Sequence, residues 1–226
     1  MRLRPEVFTA ITGMIYAALL SNLLLVTGCA PLVVGLLVTD PARSWPLLSL
    51  VAPLCGPALV GVFAVVTGFG RGGVVRTFGS AWRAAFRRAT VLCVLATLAL
   101  VVLGVDIAWA WGRTVGAVAI PVLVTLMVLV VATTILTLVV LAERPTVRLR
   151  DALRASLYLG VRRWYLTGVS LVALVLLVQV VALKPALGLG LVATPLLYLV
   201  WAGSRYSLRP VLDPSPRQPA LGGRVV

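Results

Sequence analysis

The sequence predicts an all-α, polytopic membrane protein with about six transmembrane helices and two amphipathic helices on the cytoplasmic side. Composition is the first observation, because 61% of the 226 residues are hydrophobic and 12% are charged, whereas soluble domains are roughly 45–50% apolar and about 25% charged. The second observation is a series of long uncharged runs, each near the roughly 20 residues that a bilayer-spanning helix needs. The third is that arginines lie between these runs, a pattern typical of membrane orientation.

The first two predicted spans contain their own irregularities. The uncharged run from Phe8 to Val38 is longer than a straight crossing requires, and Gly28–Pro31 interrupts it with a proline that lacks a backbone donor. We therefore expect a break or kink at that point. The second span, Pro46–Phe69, carries Pro53 and Pro57 and is expected to bend.

The remaining spans follow with short connections on one side and basic segments on the other. Residues 1–205 are expected to form a single transmembrane domain, and the proline-containing segment 206–226 is expected to be a disordered cytoplasmic tail. The third and fourth spans are joined by a tight turn at Gly112, and the predicted spans three to six are Ala89–Trp111, Val115–Ala142, Trp164–Leu183 and Pro185–Gly203.

Charge predicts the orientation. With the N-terminus placed inside, seventeen of the twenty Lys and Arg residues fall in inner segments, and only Arg43, Arg113 and Lys184 fall outside. Since cytoplasmic loops carry the excess of basic residues, both termini are expected in the cytoplasm. Near-exclusive use of Arg over Lys is typical of a GC-rich bacterial genome, so the expected location is a bacterial plasma membrane. The net charge of +14 then indicates contact with anionic lipid headgroups rather than with nucleic acid.

Two inner segments have helical amphipathic patterns. In the segment 71–88, Phe78, Trp82 and Phe86 recur at helical spacing, while arginines occupy another face. The segment 143–163 repeats this arrangement with leucines and arginines. Each segment is expected to lie in the inner headgroup layer, and Phe78, Trp82 and Phe86 are the candidate face for the membrane surface or for a partner protein.

Polar side chains inside the spans are the candidates for a functional site, because ionisable and polar groups in hydrocarbon are costly. The candidates are Asn22, Asp106 and Gln179. Asp106 has two interpretations: a proton or cation site, or an interfacial carboxylate that faces Arg113 or Lys184. Asn22, Gln179 and the threonine cluster at 133, 134 and 137 are expected mainly to form hydrogen bonds between helices.

The residues needed for several kinds of catalytic, cofactor or metal site are missing from the sequence or lie in the wrong pattern. The sequence has no His and no acid pair or Ser-His or Cys-His set, so an enzyme using acid–base or nucleophilic catalysis is not expected. The GxGxxG pattern at Gly68–Gly73 follows a predicted span rather than a strand, so no dinucleotide cofactor is predicted. Cys29, Cys55 and Cys93 show no CxxC spacing and are interpreted as small buried hydrophobic residues rather than a disulfide framework or metal site.

A family resemblance supplies the functional hypothesis. The run Pro57–Val66, together with Asn22-Leu23-Leu24 in span one and with Phe78, resembles the YesL-like bacterial membrane proteins, a domain family of unknown function. Family members typically carry a basic residue directly after the Pro-Ala helix, whereas here Thr67 and a glycine run come before Arg71. The resemblance implies an accessory or regulatory role in carbohydrate uptake, with subunits of a carbohydrate ABC transporter as partners. The alternative is an autonomous small-solute transporter.

Overall fold

The computed structural model describes the backbone of residues 5–40, 43–68, 72–144, 146–162, 164–183 and 192–212, and most side chains of these segments. Throughout these residues the chain is helical and forms no strand. The helices, in chain order, are α1 Pro5–Gly28, α2 Ala30–Val38, α3 Trp45–Val51, a 3-10 helix Ala52–Cys55, α4 Gly56–Thr67, α5 Val74–Ala110, α6 Gly116–Glu143, α7 Leu149–Arg162, α8 Trp164–Leu183 and α9 Ala193–Leu212.

The predicted break in the first span is confirmed. The axes of Thr12–Gly28 and Ala30–Val38 meet at an angle of 73°, and Cys29 is the single residue between α1 and α2. Pro31 lies in the first turn of α2, a position where its missing N–H costs nothing because the first turn has no intrahelical acceptor. The bend is therefore specified by the local sequence.

The second span is also irregular, as its prolines predict. α3 gives way to a 3-10 turn over Ala52–Cys55 that contains Pro53, and α4 starts at Gly56 with Pro57 in its first turn. Each proline sits near a helix start, so neither removes an interior hydrogen bond. Together these short helices form one candidate membrane-crossing segment, Trp45–Thr67.

α5 differs from the prediction. The segment 71–88 was expected to be a separate amphipathic helix on the membrane surface, but from Val74 it continues without a break into the third span, and the combined helix has 37 residues. The reason is a buried stripe, Phe78, Ala85, Ala89 and Leu92, that stays on one side of the helix at intervals of three, four and seven residues. This stripe packs on α4, so the first half of α5 belongs to the helix bundle.

The turn after α5 agrees with the prediction, and the second basic segment contains the predicted separate helix α7, whose position at the membrane surface stays a prediction. Gly112 has a φ of +76°, a left-handed conformation that glycine adopts without steric cost. α7 is a separate amphipathic helix, with Ala152 and Ser156 buried and Arg150 and Arg154 exposed. The two basic segments meet, because a guanidinium nitrogen of Arg88 lies 3.4 Å from the carbonyl oxygen of Val147.

The core of the bundle is centred on α4. Its side chains Ala58, Val60, Val62 and Phe63 are at most 1% exposed, so this helix is covered on all sides, as expected of a central helix. Buried residues of α1, α5, α6, α7, α8 and α9 complete a single core. The segment 206–212 of the predicted tail is helical as part of α9, and residues 213–226 lie outside the described residues.

Three of the described helical segments are long and apolar enough to cross a bilayer, namely Trp45–Thr67, Val74–Ala110 and Gly116–Glu143, and the bent pair α1–α2 makes a fourth if it is counted as one span. The prediction of an all-α protein with membrane-spanning helices is therefore confirmed at this level. The predicted fifth span coincides with α8, and the predicted sixth span, Pro185–Gly203, overlaps α9 only over residues 193–203, while residues 185–191 lie outside the described residues. The total of six stays a prediction.

Candidate functional site: a cavity between α1, α4 and α9

Asn22 joins the first and the last described helices. It lies on α1, is 1% exposed, and its Oδ1 accepts hydrogen bonds from the backbone N–H of Thr194 at 2.8 Å and from the Thr194 hydroxyl at 2.5 Å. Thr194 is the second residue of α9. Asn22 therefore ties α1 to the first turn of α9 through two hydrogen bonds.

A cavity of about 510 Å³ opens beside this pair. The size falls within the roughly 300–1,000 Å³ of small-molecule sites. Its walls are mainly aliphatic, with two hydroxyl-bearing side chains and two aromatic rings, and none of the described lining residues is charged. The lining residues include Ala17 and Ser21 of α1, Val65 of α4, and Thr194, Tyr198 and Trp201 of α9.

The aromatic wall of the cavity is fixed to α4. The indole N–H of Trp201 donates to the hydroxyl oxygen of Thr67 at 3.0 Å, and that hydroxyl donates to the carbonyl oxygen of Phe63 at 2.8 Å. The Tyr198 ring lies 5.6 Å from the Trp201 ring, centroid to centroid. A buried indole requires a partner for its N–H, and the Thr67 hydroxyl provides it.

A charged pair follows one turn beyond the cavity. Arg205 Nε lies 3.6 Å from Glu143 Oε1, and the Glu143 side chain is 8% exposed. The same guanidinium lies 5.2 Å from the centroid of the Trp201 ring. Because the carboxylate is withdrawn from solvent, removal of Arg205 would deprive it of a compensating charge, which is destabilising.

The structure separates the three predicted intramembrane polar residues. Asn22 is buried beside the cavity, whereas Asp106 on α5 and Gln179 on α8 are exposed and neither lines the cavity. Of the two cations suggested for Asp106, Arg113 stacks over the Trp109 ring at 3.7 Å from its centroid, and Lys184 lies outside the described residues. The three polar residues do not line one common path.

The threonine cluster of α6 bonds within its own helix. The hydroxyls of Thr133, Thr134 and Thr137 donate to the carbonyl oxygens of Leu129, Val130 and Thr133, at 2.7 Å in each case. This is the local back-bonding that Ser and Thr often adopt in helices. The expectation that these threonines bond across helices was wrong for these contacts, because each hydroxyl reaches a carbonyl oxygen one turn earlier in its own helix.

The predicted apolar face at 78, 82 and 86 is divided between the core and the surface. Phe78 is 7% exposed, and a Cβ placed on Gly61 would lie 2.6 Å from its ring, so the ring packs directly on the α4 backbone. Trp82 is half-buried, and Phe86 is 39% exposed. Their rings form an edge-to-face pair with centroids 5.1 Å apart. Only Trp82 and Phe86 are therefore available to a membrane surface or a partner.

Sequence reasoning missed Thr194 and Tyr198, although it included Asn22. A threonine in an apolar run carries no distinctive signal, and its partner lies on the first helix of the chain.

No family model matches this chain. No curated protein is significantly similar to it. No solved structure gives a significant match. The candidate site and the sequence resemblance are therefore the two bases for a proposed function.

Proposed function

We propose that the chain is a non-enzymatic membrane protein of the bacterial plasma membrane, with six spans and both termini in the cytoplasm, that acts as an accessory component in carbohydrate uptake. The observation that supports an accessory role is how the buried polar side chains are used. Asn22 and Thr194 bond to each other, and Thr137 bonds to its own helix. A path for a sugar needs several polar groups that face the path, and the cavity offers mainly aliphatic walls.

The placement of the two basic segments on the same side of the membrane is supported by their meeting in space. Arg88 of α5 contacts the backbone at Val147, just before α7, so these two segments share one end of the bundle. Arg83, Arg87 and Arg150 are exposed. A cluster of exposed arginines at one end favours a position beside anionic headgroups or beside an acidic surface of a cytoplasmic partner.

The carbohydrate part of the proposal rests on the resemblance to YesL-like proteins, and the partners that the resemblance suggests are subunits of a carbohydrate ABC transporter. An experiment with two measurements tests it. Purified protein in liposomes should give no flux of labelled sugars, and deletion of the gene should reduce sugar uptake while leaving the importer's permease subunits at their normal level. Sugar flux through the purified protein alone would overturn the accessory role.

The second candidate is an autonomous transporter, and the cavity is the observation that favours it. Its aliphatic walls, which include the hydroxyl-bearing side chains of Ser21 and Thr194, suit a small apolar solute with one polar group rather than a sugar. Flux of such a solute into liposomes, together with its loss in a Ser21→Leu variant that narrows the cavity, would favour this candidate over the first.

A further inference from the structure

The cavity between α1, α4 and α9 is open along one side. The two outer helices are tied together at one point, where the Thr194 hydroxyl donates to the carbonyl oxygen of Ala18 at 3.2 Å. Other lining side chains are open to the surroundings, since Met14, Tyr198 and Leu199 are 55%, 49% and 52% exposed. In the part of the chain that the structure describes, the cavity is therefore a cleft that opens at the side of the bundle.

The cleft follows the axes of two helices. Its lining residues extend from Met14 to Ser21 along α1 and from Thr194 to Trp201 along α9, and Val65 of α4 lines it as well. A rise of seven residues along a helix is about 10 Å, compared with about 15 Å for half of a roughly 30 Å hydrocarbon layer. The length and the mainly apolar walls of the cleft therefore fit a large part of one acyl chain.

The opening of the cleft lies on a helix that belongs to a candidate membrane crossing. Thr12–Gly28 of α1 is long and apolar enough to cross a bilayer when it is counted together with Ala30–Val38. The exposed side chains of such a helix meet lipid tails, which are as apolar as Leu. A lipid tail can therefore enter the cleft directly from the bilayer.

A positive charge lies beyond the Trp201 end of the cleft. The guanidinium carbon of Arg205 is 5.2 Å from the centroid of the Trp201 ring, and the Arg205 side chain is 50% exposed. Its Nε lies 3.6 Å from Glu143 Oε1, but a guanidinium has five N–H donors, so donors remain for a second anion. Arginine binds phosphate through parallel N–H groups. An apolar cleft with an exposed arginine beyond one end is complementary to an amphiphile with an anionic head.

We propose that this cleft binds one acyl chain of an anionic phospholipid whose phosphate is held by Arg205. The chain packs against Val65, Tyr198 and Trp201, and the phosphate oxygens accept hydrogen bonds from the guanidinium. This binding site goes beyond the accessory role in carbohydrate uptake, and it assigns to a bound lipid the cavity that an autonomous transporter would use. It is also separate from the exposed arginines of α5 and α7, because none of these lines the cleft.

Photolabelling of the purified protein in detergent tests the proposal. The probe is a phosphatidylglycerol that carries a diazirine near the end of one acyl chain, and the labelled residues are located by proteolysis and mass spectrometry. We expect saturable labelling of the segments 14–21 and 194–201. Unlabelled phosphatidylglycerol should displace the probe, and phosphatidylcholine should do so roughly fivefold less well, the fold-change of ~1 kcal/mol per basic residue at an anionic surface. Labelling spread evenly over the exposed faces of α5 and α6, or equal displacement by the two lipids, would overturn the proposal.

A filled cleft separates this site from general contact with lipid. Ala17 lines the cleft, so Ala17→Leu places a larger side chain where the acyl chain would lie and should abolish the saturable labelling. Ala108→Leu is the matched control, because Ala108 is exposed on α5, and labelling should be unchanged. Saturable labelling that persists in Ala17→Leu would place the lipid elsewhere and contradict the proposal.

A paired variant tests the role of Arg205. Arg205→Gln combined with Glu143→Gln removes both charges, so that no buried carboxylate is left without a compensating charge. The labelling should remain, but the two lipids should now displace the probe equally, and a preserved preference for phosphatidylglycerol would refute the role of Arg205. Thermal unfolding in detergent verifies that each variant is folded, and the wild-type labelling decides the question independently of the variants. Since sugar uptake is measured in a different experiment, the accessory role and the lipid site can fail separately.

Discussion

The Oδ1 atom of Asn22 lies 2.8 Å from the backbone nitrogen of Thr194 and 2.5 Å from its hydroxyl oxygen, so one side chain of the first helix is bonded to the first turn of the last described helix. In an apolar environment every backbone polar group needs a partner within the protein. The pair therefore joins α1 to α9 beside the cavity.

Asn22→Leu keeps the size of the side chain and removes the acceptor. The N–H of Thr194 is then left buried without this bond, which costs about 1–3 kcal/mol. We expect the free energy of unfolding, measured by denaturant titration in mixed micelles, to fall by that amount. Thr194→Val is the matched control: it removes the hydroxyl but keeps the N–H bond, so its loss should be closer to the ~0.6 kcal/mol typical of interhelical side-chain bonds. Equal losses of unfolding free energy in both variants would contradict a separate contribution from the bond between Asn22 and the Thr194 N–H.

Gly61→Ala should destabilise the bundle, because the added methyl would lie 2.6 Å from the ring of Phe78. Overpacking of this kind typically costs about 1–3 kcal/mol. The control is Gly104→Ala on α5, where nothing lies within 4 Å of the new methyl and helix propensity favours Ala by roughly 0.5–1 kcal/mol. Opposite signs of the two changes in unfolding free energy are expected, and a neutral Gly61→Ala would show that α4 and α5 are not in this close contact.

Phe78→Ala and Phe86→Ala should differ sharply, although both rings belong to the same predicted face. Phe78 is 7% exposed and Phe86 is 39% exposed, so only the first substitution opens a core cavity, at about 3–5 kcal/mol. Phe86→Ala combined with Trp82→Ala should instead leave the spans inserted and loosen this segment, which then becomes more accessible to protease. Protease access to this segment in inverted membrane vesicles measures the second effect, and unchanged protection would mean that Trp82 is held by the bundle.

Reporter fusions test the orientation. Fusions after Arg88, within the segment 143–163 and after Arg205 should report the cytoplasm, and fusions near Asp40 and Gly112 should report the exterior. The physical reason is the excess of Arg in the inner segments. An external signal from 143–163 would falsify the six-span arrangement, because that segment carries six of the seventeen inner basic residues.

Asp106→Asn distinguishes the two interpretations of the acid in the third span. The carboxylate is exposed on α5, so we expect the protein level and the sugar uptake of the host to be nearly unchanged. Uptake measured with labelled sugar, alongside membrane protein level as the control, decides the matter. A collapse of uptake in cells that insert the variant normally would favour a proton or cation site at Asp106.

Local signals in the sequence predicted the irregularities of the backbone well. Pro31 marked the bend after α1, Pro53 marked the 3-10 turn, and Gly112 marked the turn after α5, because in each case one residue restricts its own backbone or that of its neighbours. The continuity of α5 could not be predicted in this way. It depends on the packing of the Phe78 ring against the backbone at Gly61. That contact is between two helices, so the sequence of α5 alone does not predict it.

The candidate site was less predictable than the fold. Asn22 was identified because an amide in an apolar run is costly to bury, but its partner Thr194 carries no such mark. The approach of Cys93 Sγ to the backbone at Gly56 is a further case, since a single cysteine in an apolar run resembles any small buried residue. Long-range pairing of side chains depends on the angles at which helices cross, and these angles are not encoded in local periodicity.

The unbroken length of α5 has a mechanical consequence. Its 37 residues extend about 55 Å at 1.5 Å per residue, while the hydrocarbon layer is roughly 30 Å thick. Arg83 and Arg87 face outward on its first half, so that half must stand beyond the hydrocarbon to keep their charges solvated. Because α5 is one continuous helix, a rotation of its arginine-bearing half would also rotate the half that ends at the turn with Gly112. Since the Phe78 ring packs on Gly61, α4 would move together with α5.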